Sequence, residues 1–251
     1  MRGLSDWGAL APLPRVSPFR RGVRTKSWED QRDEWATAAK EPLVVFAELA
    51  TPVVGLGALH LDGILSSAAM TLHPAPSSFD TAAVIPLPIE LAWVSQDGLP
   101  LWAASDLTPA AEAARGAEYW HKRNPGHRAD LGSRMNAVTT AGRWKEYRVP
   151  MQTAAVDRLF GLCVGALDEV ERLLAAVTHV GKKGSIGYGR VGRWTVTPAG
   201  ARSVEEIVAM RNAPVEYYAG RQPDGVVKPL ASWTPPYWHA PWHRACIGPA
   251  A

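Results

Sequence analysis

Val180-Gly-Lys-Lys-Gly-Ser-Ile-Gly-Tyr-Gly-Arg-Val191 is the stretch that decides how this chain is read. Glycines at 181, 184, 187 and 189 alternate with Lys182, Lys183, Ser185, Tyr188 and Arg190. Before it, Asp168 to His179 carries Val170, Leu173, Leu174 and Val177 at helical spacing. After it, Arg190 to Pro198 alternates like a strand. The order is therefore helix, glycine loop, strand. Gly187-Tyr-Gly-Arg-Val-Gly192 fits G-x-G-x-x-G in letters, but a dinucleotide site needs strand, loop, helix, so that the pyrophosphate meets a helix N-terminus. A phosphate-binding G-x-x-x-x-G-K-[ST] loop is not formed either. Two readings stay open. In one, a loop free of side-chain bulk lets backbone amides approach an anion, with Lys182, Lys183 and Arg190 supplying charge and Tyr188 a stacking face. In the other, it is a glycine-rich turn with solvated lysines.

Charge is segregated along the chain. The net charge is only +3 over 251 residues, too small to declare a nucleic-acid binder. Yet Trp7 to Trp28 holds five bases, Arg15, Arg20, Arg21, Arg24 and Lys26, and no acid. His121 to Arg148 holds seven Lys/Arg against Asp130 and Glu146. Such separation can build a basic face on a nearly neutral protein, and solvated loops are the alternative. Arg20, Arg21 and Arg24, with Lys122, Arg123, Arg128 and Arg134, are expected on one nucleic-acid surface. Cys163 and Cys246 are too few for a structural zinc site or a disulfide framework, so no cofactor is expected and a reducing cytoplasm fits. No apolar run spans a membrane, the closest, Val53 to Met70, being broken by His60 and Asp62.

The length allows one large or two small domains. Residues 1–41 read as a basic arm with a helix over Trp28–Ala39, and 42–251 as the main body. Within it, Leu43–Leu49 suits a strand and Leu59–Met70 a helix. Residues 71–141 are irregular and read as an insertion. Arg143–Val149 and Arg158–Val164 read as strands, and Val204–Arg211 as a helix. An aromatic tail closes the chain; its rings are expected to pack within the molecule, with docking on a partner subunit or an RNA base as the alternative. Eleven tryptophans are present, of which Trp93, Trp144 and Trp194 suit core strands. The order β–α–β, β–α–β points to an α+β fold with ferredoxin-like (RRM-like) packing, one strand of which is hard to locate.

The glycine loop between a C-terminal helix and a strand resembles that of the RAMP superfamily of CRISPR proteins, in the version found in type IV systems. Pro42-Leu-Val-Val-Phe-Ala-Glu-Leu-Ala-Thr-Pro52 and Leu59-His-Leu-Asp-Gly-Ile-Leu65 are similar to the first strand and helix of the Csf-type subunit in the Cas-five role. Weaker similarity lies at Met210-Arg-Asn-Ala-Pro214 and Pro235-Pro-Tyr-Trp238. The resemblance implies a RAMP domain with a thumb-like insertion at about 71–141. It implies a cytoplasmic RNA-binding subunit of an antiviral type IV CRISPR effector complex. That subunit holds the 5′ handle of the CRISPR RNA, caps the backbone filament beside the large subunit, and sits where target DNA near the PAM is within reach. The RNA would meet Lys182, Lys183, Ser185, Tyr188, Arg190 and His60, together with the basic residues of the arm and insertion named above. Metal-independent ribonucleases of the superfamily sometimes place a general base at the start of the first helix, where His60 stands, although a capping or satisfied histidine is the preferred reading; His121 and His127 lie among bases, and a processing endoribonuclease is the alternative. No Ser–His–Asp, H-E-x-x-H or paired-carboxylate pattern is present, and no catalysis is expected. A protein-interaction module with basic loops is the reading from a third class.

Overall fold

The computed structural model describes residues 28–73, 84–122, 147–221 and 223–249. Helix α1 (Trp28–Thr37) leads into β1 (Glu41–Leu49), whose alternate residues Leu43, Val45 and Ala47 are fully buried. A short β2 (Val53–Val54) and a 3-10 turn (Leu56–Ala58) bring the chain to α2 (Leu61–Leu72). Then come β3 (Leu91–Val94), β4 (Pro100–Trp102), β5 (Thr108–Pro109) and β6 (Ala114–Lys122). Next are β7 (Tyr147–Ala155), β8 (Arg158–Gly165), α3 (Leu167–Leu174) and β9 (Val191–Pro198). The C-terminal part holds α4 (Val204–Val208), β10 (Ala213–Pro214), β11 (Val226–Ala231) and β12 (Arg244–Gly248).

The fold is α+β with antiparallel sheets. The central sheet runs β5-β8-β1-β9. The register places Leu43 opposite Cys163, Val45 opposite Val196, and Ala47 opposite Leu159. One face of β1, β8 and β9 is thereby apolar, as a period of two requires. Leu61, Leu65, Ala68 and Ala69 of α2 and Val170, Leu173 and Leu174 of α3 join the same buried cluster. Trp35 of α1 is 1% exposed within it and donates its indole N–H to Glu169 of α3 at 2.7 Å, so the first helix docks on the body.

Part of the region that reads as irregular runs beside β8. Ala104 bridges Cys163, Thr108 pairs with Phe160, and the Ser105 amide donates to Leu162. Gly161 makes this possible, since a Cβ there would stand 2.7 Å from Leu107. A second sheet, β2-β7-β6, carries the long hairpin of β6 and β7. β7 continues past the expected Val149 to Ala155, through Pro150. β2 pairs only with Thr153 and Ala154, which leaves an open edge at the proline, where a missing N–H is tolerated. A third sheet, β10-β12-β11, packs against β3 and β4 through Leu99, Leu101, Tyr217, Trp233 and Cys246. Of the aromatic tail, Trp233 is buried at 1% exposure while Trp238 stays 66% exposed. Burial pushes the Cys163 thiol up to about 12 and that of Cys246 up to about 11, so both stay protonated hydrophobes. Trp93 and Trp194 are half-buried against the second and first cores; Trp144 lies outside the described residues. Among the described residues no helix is long and apolar enough to cross a membrane.

Candidate nucleic-acid interface

The glycine loop is closed at its base by a short ladder. The Val180 amide donates to Gly189 O at 2.8 Å, and Val191 N to Thr178 O at 2.9 Å. From beneath, the β1–β2 connection clamps it. Lys182 N donates to Val54 O and Gly189 N to Pro52 O, at 2.8 and 2.7 Å. The Thr51 hydroxyl donates to Gly187 O and accepts from the Arg190 amide. The glycines serve this clamp. A Cβ on Gly181 would lie 2.5 Å from Val54 O, and one on Gly189 would lie 1.9 Å from Val180 O. Both have positive φ, as does Lys183 at 68°. The amides of Lys182, Ile186, Gly187, Gly189 and Arg190 all find acceptors inside the loop or its clamp. Lys182, Lys183 and Arg190 add side-chain charge to the loop.

Lys183 and Tyr188 meet the hairpin. Along β6, Glu118 and Trp120 share one face, because side chains alternate along a strand. Lys183 Nζ sits over the Trp120 ring, 4.2 Å from its centroid. The Tyr188 hydroxyl donates to Glu118, and that bond holds the Tyr188 phenol above its ordinary range, with slight burial and the Glu118 charge adding to it. The stem of Lys182 lies over Gly55, 3.3 Å from where a Cβ would stand there. Ser185 is exposed, and Arg190 is partly buried. Loop and hairpin thus bring Lys183 and Tyr188 against Trp120 and Glu118, while Lys182, Ser185 and Arg190 stand on the loop itself. Lys122 ends β6. Arg20, Arg21, Arg24, Arg123, Arg128, Arg134 and His127 lie outside the described residues.

His60 belongs to a different constellation. It precedes α2, with its Nδ1 2.6 Å from Asp106 and its ring stacked 3.8 Å from that of Tyr237. The Tyr237 hydroxyl donates to Asp62 at 2.6 Å and accepts from Arg211 Nη2 at 2.5 Å. Arg211 is fully buried. It donates to Asp62 at 2.8 Å and to the carbonyls of Trp233, Ala104, Trp102 and Asn212. Burial opposes the Arg211 charge, but Asp62, with Tyr237 and Asp106, outweighs it and keeps the guanidinium pKa above its usual value. Burial raises the Tyr237 phenol well above its ordinary range, so it remains a neutral donor. Gly63 clears the space for that ring, since a Cβ would stand 2.9 Å from Tyr237 Cε2.

Leu59-His-Leu-Asp-Gly63, Met210-Arg-Asn-Ala-Pro214 and Pro235-Pro-Tyr-Trp238 therefore converge on one buried network. Asp62, Asp106, Arg211 and Tyr237 escape a sequence reading, although three of them stand in these segments. A carboxylate inside the apolar face of α2 is the signal that could have found the pair, because such a charge requires a buried partner.

No curated protein matches this chain. Among solved structures it is similar to a chain of the type III-B Cmr-beta complex bound to cognate target RNA, at 10% identity and a TM-score of 0.36. That similarity covers 68% of this chain and 65% of the other, so the chain spans less than two thirds of the structure it matches. Over residues 132–246, which include β7 to β9, the glycine loop, Arg211 and Tyr237, this chain matches the family model of the CRISPR type IV associated protein Csf3.

Proposed function

We propose that this protein is a non-catalytic RNA-binding subunit of a type IV CRISPR effector complex, holding the 5′ handle of the CRISPR RNA. The family match supports the type IV assignment. The observation that carries the reading is the docking of Lys183 on Trp120 and of Tyr188 on Glu118, beside the exposed Lys182 and with Arg190 at the end of the same loop. Lysines and arginines neutralise phosphates while aromatic faces accept unpaired bases, which is how single-stranded RNA is held. The order β5-β8-β1-β9, with α2 after β1 and α3 between β8 and β9, is read as ferredoxin-like, and the β6–β7 hairpin as the thumb-like insertion. In the same reading the subunit caps the backbone filament beside the large subunit, with target DNA near the PAM within reach.

Changing Lys182, Lys183 and Arg190 to alanine is expected to weaken RNA binding across sequences. The slope of log affinity against log salt should flatten by about one charge equivalent per lost contact. Glu118→Gln, which removes an acid from that surface, should shift affinity the other way. A titration of labelled repeat RNA at several salt concentrations reads both. An unchanged slope in a folded triple variant would make the loop purely structural.

Catalysis is not part of this proposal. A general base needs an orienting partner, which Asp106 supplies to His60, but also a cation for the developing phosphorane. The cation of that network, Arg211, is fully buried, and each of its three nitrogens is bonded within the protein. Incubation with labelled repeat RNA, with and without metal, is expected to leave it intact. Site-specific products that vanish in His60→Ala would establish the endoribonuclease instead.

A further inference from the structure

The aromatic tail divides into rings that hold the fold and one that does not. Trp233 is buried in the C-terminal core, and its indole N–H donates to Trp242 O at 2.9 Å. The Tyr237 hydroxyl is bound into the Asp62–Arg211 network. Trp238, the next residue, is 66% exposed, yet its position is fixed. On one side the Tyr237 carbonyl accepts from the His243 ring at 3.0 Å. On the other the His239 amide donates to Pro236 O, and Trp242 N donates to His239 O, both at 3.0 Å. The His239 ring stands edge-on between the two indoles, its centroid 5.8 Å from that of Trp238 and 4.9 Å from that of Trp242. An indole left in water on so well-tied a turn presents a flat apolar face at little ordering cost.

The tail and the glycine loop meet across two neighbouring residues. Leu59 Cδ2 lies 3.6 Å from where a Cβ on Gly181 would stand. The next ring, that of His60, is stacked 3.8 Å from the ring of Tyr237. Trp238 therefore follows directly on a contact with the dipeptide that touches the loop. The two places differ in chemistry. Lys182, Lys183 and Arg190 give the loop its charge, whereas Ser232 to His243 holds no Asp, Glu, Lys or Arg. A ligand that suits both carries anionic charge at one point and a flat neutral ring a short distance along. Single-stranded RNA has that form, with phosphates for the lysines and an unpaired base for the indole.

We propose, on the RNA-binding reading above, that Trp238 is a stacking platform for one unpaired base of the RNA whose phosphates meet the glycine loop. His239 backs the indole edge-on, and Trp242 backs His239. An aromatic face accepts any of the four bases, so the platform sets which nucleotide of the strand stands there and not which base it carries.

The test uses the full chain and labelled repeat RNA. Trp238→Ala is expected to keep the wild-type urea midpoint and to weaken RNA binding by about tenfold, as loss of one stacked base implies. The slope of log affinity against log salt should stay as in the wild type, because stacking releases no counterions. Trp238→Phe, which keeps an aromatic face, should recover most of the loss. A series of repeat RNAs with one abasic position each then identifies the base. One of them should bind the wild type about tenfold more weakly, while Trp238→Ala binds it no more weakly than intact RNA. The proposal is overturned if Trp238→Ala binds intact RNA as the wild type does, or if no abasic position is silenced by the change. Normal RNA binding with lost assembly onto other subunits also overturns it and makes the indole a protein contact. If the Lys182, Lys183, Arg190 variant keeps the wild-type salt slope while Trp238 and one abasic position remain coupled, the loop reading fails alone and the platform stands.

Discussion

Arg211→Ala is expected to cost about 3–5 kcal/mol of stability, the usual consequence of removing one partner from a buried ion pair. Asp62 would then lie in the core with only the Tyr237 hydroxyl and the Gly63 amide, and the carbonyls of Trp233 and Ala104 would lose their donor. The effect spreads beyond one contact, because Arg211 ties α2 to the segment around β4 and to the C-terminal tail. Urea unfolding reads it as a fall in midpoint. The coupled variant Asp62→Leu, Arg211→Met removes both charges and should lose clearly less than the two single changes summed. If each single change costs under about 1 kcal/mol, the network is not what joins these elements. Arg211 and Asp62 do not face the loop surface, so variants that remain folded should bind repeat RNA with an unchanged salt slope.

The parts of this fold that show in the sequence are those with one dry face. β1, β8, α2 and α3 each present apolar residues at the period of their own element, because one side of each meets the common core, while β9 keeps Val191 and Val196 on that side only through a register shift. The expected Leu43–Leu49, Leu59–Met70, Arg158–Val164 and Arg190–Pro198 fall within two residues of the observed bounds at every end. The α3 helix is shorter than Asp168–His179, since Thr178 to Val180 are drawn into the ladder that closes the glycine loop. β6 stays invisible for the opposite reason. Ala114-Arg-Gly-Ala-Glu-Tyr-Trp-His-Lys122 has no apolar alternation, as neither face is buried along most of its length. β5 is two residues long and held by irregular bonds around Ser105, which leave no period to detect. The site divides along the same line. The loop is legible because its residues are contiguous. The ion pair joins positions 149 apart and Tyr237 reaches Asp62 over 175, and separation of that size leaves no local trace.

Gly189→Ala should be the most damaging single change in the glycine loop. Two costs coincide there. Its φ of 64° lies in the left-handed region, which an L side chain adopts at a cost of about 1–2 kcal/mol. Its new methyl would also stand 1.9 Å from Val180 O and 3.0 Å from Val180 C, which are backbone atoms that cannot swing aside. The chain must then open the Val180–Gly189 hydrogen bond and pull Gly189 N from Pro52 O. Both contacts orient Tyr188 and Arg190, so RNA affinity should fall at least as far as in the Lys182, Lys183, Arg190 variant. Gly187→Ala separates the two costs, because its φ is 96° but nothing lies within 4 Å of the added carbon. It should carry the backbone penalty alone. Gly57→Ala, with neither clash nor left-handed backbone, should be nearly neutral. The expected order in both urea midpoint and RNA affinity is Gly57→Ala, then Gly187→Ala, then Gly189→Ala as the weakest. If Gly189→Ala matched Gly187→Ala, close approach to Val180 would not be the reason for glycine at 189.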